Sequence, residues 1–239
     1  MQIMTMRRMA TVLVLGALLA LAGCIKVDQT LTLSPDGSGT LEMRYGMSEQ
    51  TLAQLQAMEQ MSAQGGQGMS VQPEQPFRFD EAEVREAFEA DKPSGVELTA
   101  LSSEVVDGWK YIDLTVAFDD LRALKRTELF EDSALTVTRM GGGDYRLTQR
   151  GGGDEMSAPG ASEQQLMQQM SAMLAGFRIA QTIVAPGEII ESNADAVNGR
   201  RATWVFDIAD DPNVISTLAQ TNLELVFDGD GVELPTIAP

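Results

Sequence analysis

The sequence predicts an α+β fold, with a largely antiparallel sheet built from hairpins and four or five helices packed on one face. The first observation is that apolar and polar residues alternate over nine or ten short segments, which is typical of half-buried strands. The second is that turn residues join most of these segments to their neighbours, which favours antiparallel pairing. The third is a set of longer segments whose apolar residues recur every three or four positions, as in amphipathic helices.

Most of the predicted strands come in hairpins. Alternation over Ile25–Leu33, broken only at Gln29, leads into a Ser34–Gly37 turn and a second strand from Leu41 to Tyr45. The dipeptide Asp107-Gly108 is a strong hairpin signal between two long alternating segments. The remaining strands are predicted at Val96–Val106, Trp109–Phe118, Leu135–Met140, Tyr145–Gln149, Phe177–Ala185, Ile189–Ser192, Arg200–Ile208 and Leu223–Phe227.

Capping residues mark the starts of the predicted helices, because their side chains can accept hydrogen bonds from the free N–H groups of a first turn. A shorter helical piece is predicted over Leu121–Phe130, and a polar, Gly- and Pro-containing stretch at about residues 63–76 is predicted to be a mobile loop. The predicted N-caps are Ser48, Asp80, Ser162 and Asp211.

The first 23 residues predict an export signal. Arg7 and Arg8 precede an apolar run of thirteen residues, Met9–Leu21. A helix of that length spans about 20 Å, which is too short for a hydrocarbon core of about 30 Å. The remaining residues, 24–239, are predicted to form a single domain, since no linker divides them into two separately cored parts.

The end of this signal, Leu21-Ala22-Gly23-Cys24, resembles the lipobox of bacterial lipoproteins. The resemblance implies cleavage after Gly23, a diacylglyceryl group on the sulfur of Cys24, and often a further acyl chain such as palmitate on the new amine. Two or more acyl chains anchor a protein stably because each buried methylene contributes about 0.8 kcal/mol. The alternative is an ordinary cleaved signal peptide, although Leu21 suits the lipobox better.

The charge of the chain excludes several kinds of partner. The whole sequence has 17 basic and 35 acidic residues, and loss of Arg7 and Arg8 with the signal leaves 15 − 35, or −20. Nucleic acid needs a basic surface and is excluded. Anionic headgroups would need a cluster of Lys or Arg, so the body is predicted to stand off from the membrane on its lipid.

The residue inventory restricts catalysis. The chain has no histidine and one cysteine, which excludes Ser-His-Asp and Cys-His catalysis and the usual zinc sites, and no cofactor or metal site is predicted. Acidic pairs such as Asp119-Asp120, Asp210-Asp211 and Glu81 with Glu83 are interpreted as helix-start residues. The Asp228–Gly231 segment looks like the start of a calcium loop, but its twelfth position is Pro239, where the loop needs Glu.

Methionines concentrate on two predicted helix faces. Flexible thioethers suit an adaptable apolar surface that could receive acyl chains, whereas ordinary core packing is the simpler interpretation. The candidate ligand surface comprises Met58, Met61, Met167, Met170 and Met173.

Two segments resemble LppM-type lipoprotein domains. The first comprises Asp28, Leu31, Leu33 and the Asp36–Gly39 turn. The second comprises Pro186-Gly187, Ser192-Asn193, Gly199 and the Trp204–Phe206 strand. The resemblance implies an α+β envelope domain that binds lipid or lipoglycan, and it carries no catalytic residues over to this chain.

These observations lead to three functional hypotheses. The first is a lipid-anchored, non-enzymatic envelope domain that binds a lipid or lipoglycan-type amphipathic ligand between sheet and helices. The second is a module that binds another envelope protein without a small ligand. The third, less favoured, is a carboxylate-based glycan hydrolase. Ile25 stands where enteric inner-membrane lipoproteins carry Asp, which favours the outer membrane in an organism with two membranes.

Overall fold

The fold comes from a computed structural model, which describes residues 25–64, 77–127, 130, 135–150 and 176–238, except for the side chains of residues 58–64. The four helices of this part are α1 (Glu49–Gln64), α2 (Glu81–Asp91), α3 (Leu121–Lys125) and α4 (Val214–Gln220). Its eleven strands are β1 (Ile25–Leu33), β2 (Gly39–Ser48), β3 (Val96–Val106), β4 (Trp109–Phe118), β5 (Thr136–Arg139), β6 (Tyr145–Arg150), β7 (Arg178–Val184), β8 (Ile189–Ser192), β9 (Ala196–Asn198), β10 (Arg201–Asp207) and β11 (Asn222–Phe227).

The larger of two sheets has seven strands in the order β3-β4-β2-β1-β7-β10-β9. Its neighbouring strands are antiparallel except for β1 and β7, which run parallel from the pair Lys26 and Arg178 to the pair Thr32 and Val184. These two strands occupy central positions, so their pairing joins the first half of the sheet to the second. The smaller sheet is antiparallel, with the order β5-β6-β11-β8.

The α+β class is confirmed, but the strands form two sheets where one largely antiparallel sheet was predicted, and the larger sheet is mixed. The hairpin signals, by contrast, are confirmed. Asp107 and Gly108 both have positive φ, 52° and 76°, which is the backbone of a type I′ turn. Strand β9, which has only three residues, was not predicted.

Helix starts follow the capping signals with one exception. The Oγ of Ser48 accepts a hydrogen bond from the amide of Thr51, and Asp80 accepts from the amides of Ala82 and Glu83. Asp120 caps α3 through the amide of Arg122.

The last helix begins later than predicted. The carboxylate of Asp211 accepts hydrogen bonds from the amide of Asn213 and the hydroxyl of Thr217, which organises a turn in front of Val214. Asn213, which gives no side-chain cap, occupies the N-cap position predicted for Asp211. The first helix also runs to Gln64, slightly past the predicted start of the mobile loop. The rest of that loop, residues 65–76, and the predicted helix after Ser162 lie outside the described residues.

The two faces of the larger sheet differ sharply. Side chains that pair across strands share a face. One side, here called the apolar face, carries the row Leu31, Leu41 and Val116 together with Met43 and Tyr45, all buried. The other side, here called the polar face, carries threonines and charged residues. Buried side chains from both sheets and from α1, α3 and α4 belong to one hydrophobic cluster, and the half-buried Val84 and Phe88 of α2 pack against it, so a single core holds these elements together.

One asparagine connects the two sheets. The Oδ1 of Asn193 accepts a hydrogen bond of 3.0 Å from the indole Nε1 of Trp204 in β10 and one of 2.9 Å from the amide of Glu224 in β11. Its Nδ2 donates to the carbonyl of Asn222. Trp204 is 2% exposed, so its N–H needs a partner within the protein. Asn193 therefore fixes the position of β10 relative to β11.

We expect Asn193→Ala to lower the free energy of unfolding by about 2–3 kcal/mol, because a buried indole N–H and the Glu224 amide lose their acceptor. In a Trp204→Phe background the same Asn193→Ala change should cost clearly less, because the indole donor is already absent. Urea denaturation of Asn193→Ala in both backgrounds checks this. Equal losses in the two backgrounds would contradict the role assigned to Oδ1.

Candidate functional site

Some side chains of the apolar face are less buried at one end of β1 than at the other. Leu31 and Leu33 are 1% and 3% exposed, whereas Ile25 and Gln29 on the same face are half-buried, on either side of Val27, which is 8% exposed. The looser end is the one at which β1 begins, directly after Cys24 in the sequence.

The same change in burial occurs along the neighbouring strand β7. Ile183 is 2% exposed, while Ile179 and Gln181 on the same face are half-buried. Because β1 and β7 are parallel, their loosely covered parts lie side by side. The central strands of the sheet therefore share one incompletely covered region.

Four half-buried apolar side chains, on β1, β7, α1 and directly after β10, are here called the apolar rim. They pack against the core but keep part of their surface open. Leu52 belongs to the first turn of α1, which starts where β2 ends. The amide of Ile208 donates a hydrogen bond to the carbonyl of Phe177, just before β7. The rim consists of Ile25, Leu52, Ile179 and Ile208.

Two amide side chains lie inside the rim. Gln29 of β1 is paired in register with Gln181 of β7, on an otherwise apolar face. Ligand sites typically combine an apolar wall with a few polar groups that fix orientation. Gln29 was visible in the sequence as the one break in the alternation of β1, whereas its pairing with Gln181 depends on a strand contact across about 150 residues and was missed.

The methionines proposed as a ligand surface lie mostly outside the described part of the chain. Met58 and Met61 lie on α1, but their side chains are outside the described part. Met167, Met170 and Met173 lie outside it altogether, as do Gly23 and Cys24. Two other methionines, Met43 and Met47, are buried on the apolar face.

The polar face carries a row of aromatic and cationic side chains near the same end of the sheet. The rings of Trp109 and Tyr111 stack with centroids 6.3 Å apart. The Nζ of Lys26 lies 4.0 Å from the Trp109 centroid, and the guanidinium of Arg44 lies 4.1 Å from that of Tyr111. Tyr111 also covers Gly46, where an added Cβ would come within 2.4 Å of the ring. The aromatic and cationic side chains of this row therefore pack against one another.

Two arginines of the polar face each bind two carboxylates. Arg44 pairs with Glu104 and Asp113, and the hydrogen bond that it donates to Glu104 is the main cause of the raised pKa of its guanidinium. Arg178 pairs in the same way with Asp28 and, at 3.9 Å, with Asp207.

These ion pairs, which are partly exposed, add little stability.

Other acidic residues have structural partners. Glu81 accepts hydrogen bonds from the amide and the hydroxyl of Ser103, so it blocks part of the exposed edge of β3. The side chain of Asp228 accepts from the amide of Asp230 within its own turn. Among the described residues, no group of three or more acidic or cysteine ligands could hold a metal ion.

A shallow, open depression of about 190 Å³ lies beside Asn193. It is lined by Glu191, Ser192, Asn193, Glu224 and Val226. Its volume falls below the range of about 300–1,000 Å³ typical of small-molecule sites. Since Asn193 and Glu224 already bond to each other there, we assign it to the junction between the sheets.

Tyr45 anchors the segment before α2 onto the apolar face. Its hydroxyl donates a hydrogen bond of 2.6 Å to the carbonyl of Arg78, and its ring contacts Phe77 and Phe79 at centroid distances of 5.1 and 5.4 Å. Burial raises the pKa of Tyr45 to about 12 from an ordinary value of 10.0.

Comparisons with known proteins give one structural likeness to report. No family profile matches the chain, and no curated protein matches it. Among solved structures, the chain is similar to the NMR structure of the folded domain of LppM from Mycobacterium tuberculosis, with 14% identity and a TM-score of 0.42. The alignment covers 88% of this chain and 94% of that one. The lipobox stays a prediction, because it lies outside the described residues. Within the described part, every helix is too short or too polar to cross a bilayer.

The raised pKa of Tyr45 predicts a loss of stability at alkaline pH. Because the folded-state pKa lies above the unfolded value of about 10, the stabilisation is complete below pH 10 and is lost as the pH rises towards 12. By about pH 11.5 the loss should reach about 1–2 kcal/mol.

Denaturation of the wild type and Tyr45→Phe across this range checks the prediction. The variant should be less stable at neutral pH, by about 1 kcal/mol for the lost hydrogen bond, and should lack this alkaline component. Parallel stability curves for the two proteins would contradict it.

Proposed function

We propose that this protein is a lipid-anchored, non-enzymatic domain of the cell envelope that binds a lipid or lipoglycan-type amphipathic ligand. The anchor rests on the lipobox-like residues that end in Cys24. The order of the chain supports it, because β1 starts at Ile25 and no linker separates the folded domain from the predicted lipid. The absence of histidine from the sequence supports a non-enzymatic role.

The observation that carries the ligand proposal is the set of half-buried side chains on β1 and β7, which lie among the buried Val27, Tyr45 and Met47 of the same face. We take the helices to cover the apolar face, with the apolar rim as the entrance between the central strands and α1. An acyl chain placed there would contact Ile25 and Ile179, and a polar group of the ligand would reach the amides of Gln29 and Gln181. The entrance adjoins the predicted anchor, so a ligand could pass from the membrane without crossing water.

Native mass spectrometry of protein purified from its own cells tests this proposal, and co-purifying lipid is the expected result. Ile179→Thr places a hydroxyl in the rim while keeping the β-branched shape, which should lower lipid affinity roughly tenfold. Val184→Thr is the matched control, since it makes the same kind of change at a half-buried position of β7 on the polar face. Protein that is consistently free of lipid, or two variants that bind alike, would contradict the proposal.

A second candidate function, docking of another envelope protein, is favoured by one feature. Ile190 and Val197 are 54% and 47% exposed, and they lie on β8 and β9, which are edge strands of the two sheets. Exposed apolar residues on an unpaired edge suit strand addition by a partner.

If this second function holds, a photoreactive residue at Val197 should cross-link to one defined envelope protein in intact cells. The same probe at Ser102, an exposed position on β3 at the opposite edge of the sheet, is the control. Equal labelling from both positions would count against a specific partner at β9.

A further inference from the structure

We propose that the tip of the β3–β4 hairpin, residues 105–110, inserts into the surface of the phospholipid bilayer that holds the lipid anchor. This inference rests on the anchor in the proposed function and adds an orientation to it. The tip consists of Val105, Val106, the turn Asp107-Gly108, Trp109 and Lys110.

The strand register places this tip at the same end of the sheet as the predicted anchor. Ile25 pairs with Met47, Met47 with Lys110, and Lys110 with Val105, so one row crosses four strands. Three strand spacings separate the ends of the row by about 14 Å. Val106 and Trp109 pair one residue beyond it, on the side from which the chain enters β1.

The short distance from the anchor leaves the domain little freedom to stand away from the membrane, which revises the expectation from net charge that the body stands off on its lipid. Cys24 is adjacent to Ile25, so one peptide unit of about 3.8 Å separates the predicted acylated residue from the first residue of the sheet. A strand held between two neighbours cannot extend to act as a linker. The sheet end, including the hairpin tip, must then lie within the headgroup region.

The side chains of the tip suit that position. Val105 and Val106 are 55% and 42% exposed on opposite faces of the hairpin. Trp109 is half-buried, and tryptophan is enriched at membrane interfaces. Lys110 can extend its ammonium group to phosphates while its methylenes pack on apolar surface, and the ammonium of Lys26 lies over the Trp109 ring.

Charge at the tip is close to balanced, in contrast to the chain as a whole. Lys26, Lys110 and Arg44 balance the charges of Glu49, Glu104 and Asp107, and Arg44 is paired with Glu104. The backbone of the tip is also fixed, because the carbonyl of Gly108 accepts a hydrogen bond of 2.9 Å from the amide of Glu49. Insertion should therefore depend on apolar contact and respond little to salt.

The test uses the mature lipoprotein, acylated by its host, reconstituted into dioleoylphosphatidylcholine vesicles that contain brominated phosphatidylcholine. Bromine quenches tryptophan that lies in the bilayer. We expect at least twofold quenching of the Trp109 emission. Trp109→Phe should remove this quenched emission and leave only the emission of the buried Trp204, which bromine does not quench. The effect should persist at high salt.

Valine variants separate insertion from mere proximity. The double variant Val105→Ser, Val106→Ser should lose at least half of the quenching. Val197→Ser is the matched control, because Val197 is similarly exposed, at 47%. Its strand pairings lead through Ala202 and Ile183 to Leu31. Leu31 is six residues along β1 from Ile25, so Val197 lies away from the anchored end of the sheet. It should leave the quenching unchanged.

Vesicle flotation distinguishes the two levels of the inference. Protein that floats with the vesicles but shows no quenching of Trp109 overturns the membrane contact and leaves the anchor intact. Protein that carries no acyl group and does not float overturns both. Lipid retained in native mass spectra tests ligand binding at the apolar rim, independently of flotation and of quenching.

Discussion

The parallel pairing of β1 with β7 is the contact on which the larger sheet depends. Without it, the strands β3-β4-β2-β1 and β7-β10-β9 would be separate antiparallel units. The register brings Asp28 beside Arg178 on the polar face, and their ion pair spans the junction. It also places the first residue of the sheet at a central strand, so the predicted anchor is attached near the middle of one sheet end and not at a corner.

The second sheet is held to the first by a different kind of interaction. Apolar packing in a shared core is tolerant of small displacements, whereas the hydrogen bonds of Asn193 fix distance and direction. The asparagine accepts from the indole of Trp204 in β10 and from the amide of Glu224 in β11, so the two sheets meet at a fixed distance.

Local signals were sufficient to predict much of this fold, and non-local ones were not. The Asp107-Gly108 turn and the Asp80 cap depend on neighbours within a few residues, so the sequence predicts them directly. The pairing of β1 with β7 depends on burial shared by distant segments, and no turn or cap marks it. For that reason the division into two sheets and the Gln29–Gln181 pair were missed. The predicted start of α4 was too early, because Asp211 caps a turn that precedes the helix. An aspartate is typical both of such a turn and of a helix start, so its residue type alone does not tell them apart.

The acidic charge and the proposed membrane contact are compatible because charges act over short distances in salt solution. Electrostatic screening reduces interactions beyond about 8 Å at physiological ionic strength. Asp36, for example, lies in the turn after Leu33, about 26 Å along β1 from Ile25 at the rise of a strand. The sum of −20 belongs to the whole mature chain, whereas the hairpin tip is close to balanced. A negative body would repel anionic surfaces at its sides, which would favour contact through the balanced hairpin tip.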